Sequence, residues 1–325
     1  MIDNKNINPT VSIVIVCMNN LKNLYPCLES IKKYTHVSYE CFVVAYLFSK
    51  ENLEKVKVDF PWVKFIESNE IRGFSENNNL ALRKAKGKYC FVLNDDTEIR
   101  MSAVDELVES FSKCPENTAI VSPVTIFPDG KVQVCGVPPI KWYTSLLELV
   151  HLWNRNKQKK YVGKVGLFKS YNIIGAAFLI KTDIFKSVGW FDEKYFFCPE
   201  DIALSTKLND LGYECWVNND IKVIHYEGMS GKSTSLVSTA TKPAARRGSL
   251  LFFSNGNRLA EITLATLYSA ITCFVCVLHF VRGVIKKRPN QYSVLAQAEL
   301  NVIKNTYSRK TPKEIFTHYF RKIRK

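Results

Sequence analysis

The sequence predicts an α/β fold built on a mostly parallel sheet with helices on both faces. Three observations carry that expectation. Largely β-branched or apolar runs recur at 11–16, 41–47, 62–66 and 89–93, broken by Ser12 and Lys64, as in strands of a buried sheet. Helical spacing separates the first two runs, with apolar residues at Leu21, Leu24, Leu28 and Ile31, and residues 74–85 read as helix before the fourth run. The 325 residues are 46% hydrophobic and 23% charged, which excludes a disordered chain or a fibre and suffices for a large core without disulfide staples.

In chain order, Val-Ser-Ile-Val-Ile-Val at 11–16 lies between Pro9 and Asn19-Asn20 and reads as a buried strand. A helix over 21–34 and a strand over 41–47 follow, then a strand over 62–66, a helix over 74–85 that stops at Gly87, and a strand over 89–93. Strands that alternate with helices in this way collect ligands at their carboxyl ends. Residues 120–127 and 132–135 read as a hairpin turning at Asp129-Gly130, and 138–165 show no clear pattern. A strand is expected over 173–180, a short helix over 183–188, a helix over 200–211 ended by Gly212, and two short strands over 213–217 and 222–226. Residues 228–241 are rich in Ser, Thr and Gly and predict a mobile loop. Helices are expected from Lys242 onward, among them the uncharged run 262–281. The chain therefore divides into a catalytic-type domain over 1–230 and a loop plus helical region over 231–325.

The net charge is +15, and it is uneven: residues 282–325 hold 12 Lys/Arg against Glu299 and Glu314, a net of +10. A basic excess confined to one tail suits an anionic membrane surface better than nucleic acid. The ten Cys are scattered, mostly in apolar runs, and the lone C-x-x-C at Cys273/Cys276 has no His nearby, so reduced core thiols are expected rather than zinc. Met1 to Thr10 is polar, with no leader-like apolar core.

Four local patterns are candidates for chemistry. Leu93-Asn94-Asp95-Asp96-Thr97 ends a buried strand with two carboxylates and an amide, hard oxygens suited to Mg²⁺ or Mn²⁺; the plain alternative is a solvated turn or a helix cap. Glu200 and Asp201 open a helix, where negative charge is favoured whether or not one of them acts as a general base. His225 closes a strand, as a metal ligand or a bonded core residue. Arg72-Gly73-Phe74-Ser75-Glu76-Asn77-Asn78-Asn79 joins a turning glycine to amides able to bind a polar ligand, or opens a helix with surface amides. Gly231-Lys232-Ser233-Thr234 ends like a phosphate loop, but Tyr226 stands where its first glycine belongs.

In order, these motifs, with G-A-A-F-L-I at 175–180 and G-W-F-D-E at 189–193, resemble the family 2 glycosyltransferases of GT-A fold over roughly residues 10–230. The rhamnosyltransferase-like enzymes of bacterial surface polysaccharide synthesis look most similar. The resemblance implies inverting transfer of a sugar from a nucleotide-diphosphate donor to a hydroxyl of a glycan or lipid-linked acceptor. It implies Asp201 as the base, and Asp96, Asn94 and His225 as the site of Mg²⁺ or Mn²⁺. It assigns Ser12, Asn19, Arg72, Gly73, Asn79 and Asp95 to the donor, and Gly175, Ala176, Asp192 and Glu200 to the acceptor side. The family's Asp at the end of the second strand is replaced by Ala45, which opens the donor's identity and favours, as the alternative, a degenerate transferase acting as a glycan-binding or assembly scaffold; the expected substitute contact is Tyr46, Ser49 or the backbone. A nucleotidyltransferase would need glycine in Cys17-Met18-Asn19-Asn20, and a processive synthase a late Q-x-x-R-W; neither occurs. The run 262–281 is long enough to span a bilayer, but spanning would put the basic tail opposite a cytosolic catalytic domain, against the positive-inside rule. The expectation is a peripheral or re-entrant helix on the cytoplasmic face of the membrane.

Overall fold

The computed structural model describes residues 8–134, 136–150, 152, 161, 163–226, 236–287 and 289–323. Ten strands form one sheet: β1 (Val11–Cys17), β2 (Tyr39–Tyr46), β3 (Val63–Ser68), β4 (Tyr89–Asn94), β5 (Thr97–Ile99), β6 (Thr118–Ile126), β7 (Val132–Val134), β8 (Leu167–Ser170), β9 (Ala177–Lys181) and β10 (Glu214–His225). The helices are α1 (Leu21–Tyr34), α2 (Lys50–Asp59), α3 (Phe74–Leu82), α4 (Ala103–Ser110), α5 (Trp142–Leu149), α6 (Thr182–Ser187), α7 (Glu200–Asp210), α8 (Ser238–Ser254), α9 (Arg258–Ile285), α10 (Pro289–Asn305) and α11 (Pro312–Ile323).

The strand order is β3-β2-β1-β4-β9-β6-β10-β5, with β7 on β6 and β8 on β10. β1 to β4 run parallel, β9 opposes both β4 and β6, and β10 is parallel to β6. The period-two pleat of β1 divides the core. Ile13 and Ile15 pack with Leu24, Leu28 and Ile31 of α1 and Val104 and Leu107 of α4, while Val14 packs with Leu82 of α3, Phe185 of α6 and Leu204 and Leu208 of α7. Helices thus cover both faces, as the strand runs predict.

The differences from expectation are local. Helix α2 is absent from the sequence reading because it is a surface helix with Val56 as its one buried residue. Residues 142–149 and 167–170, within and just beyond the patternless stretch, form α5 and β8. The strand expected over 173–180 is confined to Ala177–Lys181. The two strands expected over 213–217 and 222–226 are one strand, β10, interrupted by a bulge between Asn218 and Lys222. Of the loop expected over 228–241, residues 227–235 lie outside the described residues, and Ser238 already starts α8. Cys135 also lies outside them. Among the described residues all nine cysteines are free, as expected, with Cys17, Cys27, Cys41, Cys90 and Cys215 buried.

The C-terminal helices pack on the sheet domain beside α3 and α7. Phe196, just before α7, packs on Phe316 of α11 with ring centroids 4.6 Å apart, and Lys313 pairs with Glu76 at 2.7 Å. A Cβ on Gly248 of α8 would stand 2.4 Å from the Cys198 carbonyl, so glycine is what lets α8 lie against the chain leading into α7.

Candidate active site

Because β9 opposes its neighbours and β5 opposes β10, one rim of the sheet gathers the carboxyl ends of β1, β4, β6 and β10 with the amino ends of β5 and β9. Leu93 sits opposite Ala177, and His225 opposite Thr97. Asn94 ends β4, and Thr97 starts β5, so Asp95-Asp96 form the turn between them. The Thr97 hydroxyl donates to the Asn94 carbonyl at 2.7 Å, and the Tyr226 N–H donates to the Asp96 carbonyl at 2.9 Å, fixing that turn against the end of β10. Asp95 and Asp96 are only 7% and 6% exposed, which excludes the solvated turn.

Asp96 Oδ1 lies 3.3 Å from His225 Nε2. The other ring nitrogen, Nδ1, is 3.0 Å from Gln133 Oε1, while Gln133 Nε2 donates to the His225 carbonyl at 2.6 Å. A carbonyl only accepts, so the amide's orientation is set, and its oxygen must receive the Nδ1 proton. In the neutral ring, Nε2 therefore points a lone pair at a carboxylate oxygen. Two acceptors facing each other at that distance suit a cation between them. Among the described residues no group of three His, Cys, Asp or Glu forms a closed metal cage. A two-residue donor set matches a hard divalent ion that keeps waters and takes its remaining ligands from a substrate's phosphates. Asp95 is buried against the Cys17 thiol; burial pushes its carboxyl up to about 7, opposed by that hydrogen bond.

Asp201 stands on the same rim. Its Oδ2 accepts the Gly175 N–H at 2.9 Å and its Oδ1 accepts the Ile202 N–H at 2.7 Å. The next residue, Ala176, accepts the Asn94 N–H through its carbonyl at 2.9 Å. Two hydrogen bonds therefore link the turn holding Asp96 to the carboxylate of Asp201. Gly175 and Ala176, expected on the acceptor side, are the backbone joint between them. Glu200 is buried beside Asp201; burial first, and the Asp201 charge second, push its carboxyl up to about 8, so it is largely neutral at pH 7. Its Oε2 has no hydrogen-bond partner among the described residues.

Several donor-side expectations are corrected. Ser12 lies at the amino end of β1, remote from the rim, where its hydroxyl donates to Glu40 at 2.7 Å and receives the Gly87 N–H at 2.8 Å. Asn79 is fully buried: its amide donates to the Phe191 carbonyl and Glu193, both at 2.9 Å, and receives the Phe191 N–H at 3.2 Å. Gly73 serves a close approach, since a Cβ there would stand 2.3 Å from the Phe196 carbonyl, which accepts the Phe74 N–H. The 72–79 segment thus buttresses the 191–198 loop, which leads into α7. Asp192, half-exposed on that loop, pairs with Lys194 at 2.7 Å and accepts the Lys194 N–H at 3.1 Å.

Besides Asp95, two donor-side residues stay at the rim. Asn19, just past β1, holds Ser49 N–H at 3.2 Å and the Asn52 amide at 2.9 Å. Arg72, beyond β3, bonds Ser68 at 3.2 Å and Glu70 at 2.9 Å. Ala45 is buried in β2 between Cys17 and Glu67. Of its expected substitutes, the Ser49 hydroxyl caps α2 through the Asn52 N–H, and the Tyr46 hydroxyl accepts the Arg72 N–H at 3.4 Å. Gln133 was missed by the sequence reading; its one signal is a polar residue between two valines on a hairpin strand.

This fold and rim are those of a GT-A glycosyltransferase. The model of the family described as Glycosyl transferase family 2 matches residues 12–189, more than half of the chain, and the chain belongs to that family. Among curated relatives, the O-antigen biosynthesis protein RfbC of Myxococcus xanthus is 27% identical over 49% of this chain and 12% of its own length. The poly-beta-1,6-N-acetyl-D-glucosamine synthase of Staphylococcus epidermidis is 24% identical over 64% of this chain and 49% of its own. An N-acetylglucosaminyl-diphospho-decaprenol L-rhamnosyltransferase of Mycobacterium tuberculosis is 26% identical over 44% and 48%. The chain thus spans at most about half the length of these relatives. Among solved structures, the mannosyltransferase PcManGT of Pyrobaculum calidifontis, in complex with GDP-Man and Mn²⁺, superposes with a TM-score of 0.53 at 15% identity over 94% of this chain and 89% of its own. GalNAc-T7 with UDP, GalNAc and Mn²⁺ gives 0.55 at 22% identity over 67% and 43%.

Proposed function

We propose that this chain is a divalent-metal-dependent, inverting glycosyltransferase. It moves a hexosyl or rhamnosyl group from a nucleotide-diphosphate donor to a hydroxyl of a glycan or lipid-linked acceptor during cell-surface polysaccharide synthesis. The observation that carries this is the hydrogen-bonded path from Asn94 through Ala176 and Gly175 to Asp201, which sets a carboxylate and the Asp96–His225 pair on one rim. The relatives named for O-antigen synthesis and rhamnosyl transfer support the substrate class.

Asp201 takes the proton of the acceptor hydroxyl as that oxygen attacks the anomeric carbon. The new C–O bond forms as the bond to the diphosphate breaks, its electron pair leaving on the phosphate oxygen, and the anomeric centre inverts. Base catalysis of this type contributes about 10²- to 10⁴-fold, the rest coming from positioning and electrostatics. Two backbone donors hold Asp201 in one orientation, and neutral Glu200 spares it a second buried negative charge. Asp96 and His225, with Asn94 beside them, are the residues that would hold Mg²⁺ or Mn²⁺, which supplies neutralisation of charge on the leaving diphosphate. Asn19, Arg72 and Asp95 are the donor-side residues this reading retains. In this reading the enzyme works at the cytoplasmic face of the membrane, near a lipid-linked acceptor; the apolar helix α9 and the basic residues that follow it support that.

The competing reading, a scaffold without turnover, rests on Ala45. A thermal-shift screen of nucleotide sugars with and without Mn²⁺, followed by assay of nucleotide release, separates the two. A transferase is stabilised by one donor class in a metal-dependent way and releases its nucleotide. Stabilisation by glycans alone, with no nucleotide release from any donor, would favour the scaffold.

A further inference from the structure

In sequence, α9 looks apolar all round; in the structure it is two-sided. Its large exposed apolar residues fall on one face: Leu259, Ile262, Leu267, Phe274, Val277 and Phe280. No charged residue stands between Glu261 and Arg282, and the mean hydropathy of the helix's most apolar window is 2.0. Phe274 and Phe280 are 57% and 70% exposed. The helix has 28 residues, and the stripe from Leu259 to Phe280 is about 32 Å long. Thr263 and Thr266 are exposed on the same side and uncharged, and an exposed, mainly apolar face this long marks a contact surface.

The opposite face packs on the protein. Leu264, Ala265 and Tyr268 pack on Leu146 of α5 and Leu250 of α8, and the Tyr268 hydroxyl donates to Ser145 at 2.8 Å. Further on, α10 returns along α9: the Cys276 thiol reaches the Ala296 carbonyl, and Gly283 admits Tyr292. Helix α10 carries Glu299, which is ion-paired to Lys242 of α8, and Asn301, which is bonded to the Thr239 carbonyl. A helix fixed lengthwise in this way cannot cross a bilayer without drawing that polar layer into hydrocarbon. Its exposed half is free to lie in the interface. Arg282, Lys286 and Lys287, all exposed, stand at its carboxyl end, where anionic headgroups meet an apolar stripe of this kind.

We propose that the exposed face of α9 lies in the plane of an anionic lipid bilayer and is the surface by which the enzyme docks on the membrane. This deepens the membrane placement proposed above. Because α8 joins α9 to the Cys198 carbonyl through Gly248, the docked helix is mechanically continuous with the loop leading to Asp201.

The test is co-flotation of the full chain with vesicles of phosphatidylcholine alone or with 30% phosphatidylglycerol. Binding to the mixed vesicles is expected. Phe274→Ser with Phe280→Ser should weaken it at least tenfold, while the melting temperature stays near that of the parent chain. Arg282→Gln with Lys286→Gln and Lys287→Gln should weaken binding to the anionic vesicles alone. A fluorophore on cysteine at position 259 or 280 should shift to the blue on binding, and both should be quenched from the outer leaflet. Vesicle binding is read without donor or turnover, so loss of transferase activity alone leaves the proposal standing. Unchanged binding by the Phe variants overturns it, as does protection of one labelled end by the far leaflet. So does a lipid-free dimer that the Phe variants dissociate, since a second copy would then cover the stripe.

Discussion

Replacing Glu200 by Gln isolates the strongest electrostatic strain beside the proposed base. The Glu200 carboxyl is raised from an ordinary 4.5 to about 8, by burial first and by Asp201 second. Between those values the folded chain keeps a proton that the unfolded chain has released. Stability therefore falls as pH rises through this window, by about 1.4 kcal/mol per unit, and is flat with respect to this group above about 8. Gln is a neutral isostere that never ionises. The stability of Glu200→Gln relative to the parent chain should rise from pH 5 to pH 9, read by urea unfolding at pH 5, 7 and 9. Adding Asp201→Asn should shrink the difference, because the second cause of the shift is gone. A stability difference that does not change with pH would refute the reasoning.

Three further outcomes follow from named contacts. Gln133→Leu leaves the Nδ1 proton and the carbonyl of His225 unpaired, so Mn²⁺ affinity measured calorimetrically with a nucleoside diphosphate should fall about 10- to 100-fold; unchanged affinity would remove Gln133 as a positioning residue. Asn79→Leu strips the buried bonds to Phe191 and Glu193 and should cost about 2–4 kcal/mol in urea unfolding, with donor KM unchanged; a raised KM would return Asn79 to the donor site. Gly248→Ala forces α8 off the Cys198 carbonyl and should cost about 1–3 kcal/mol and lower kcat more than it changes donor KM; a variant as stable and active as the parent would uncouple α8 from the loop before α7.

The parallel half of the sheet was legible because strands covered on both faces have little room for a polar residue, so 11–16, 41–47 and 89–93 stand out as largely apolar runs. Helix α2 was not, since Lys50–Asp59 packs one residue inward and has no apolar stripe to read. Strand β10 looked like two because Asn218, Asn219 and Asp220 carry the polar chemistry of a turn, and in the fold they form a bulge. At the rim, Asp96, Asp201 and His225 were visible as polar residues ending strands or opening a helix. Ser12 and Asn79 misled for one reason: a polar side chain satisfied inside the protein, by Glu40 and Gly87 or by Phe191 and Glu193, reads in sequence like one awaiting a ligand. Gln133 escaped because its partner, His225, is 92 residues away, and only the pairing of β6 with β7 and β10 brings them together.

The most direct test of the account compares turnover and donor binding in Asp201→Asn, with Mn²⁺ present, once a donor is known. The account predicts turnover reduced by about 10²-fold or more, with donor affinity within a few-fold of the parent chain. Turnover close to that of the parent would contradict it, since no proton would then be passing to Asp201.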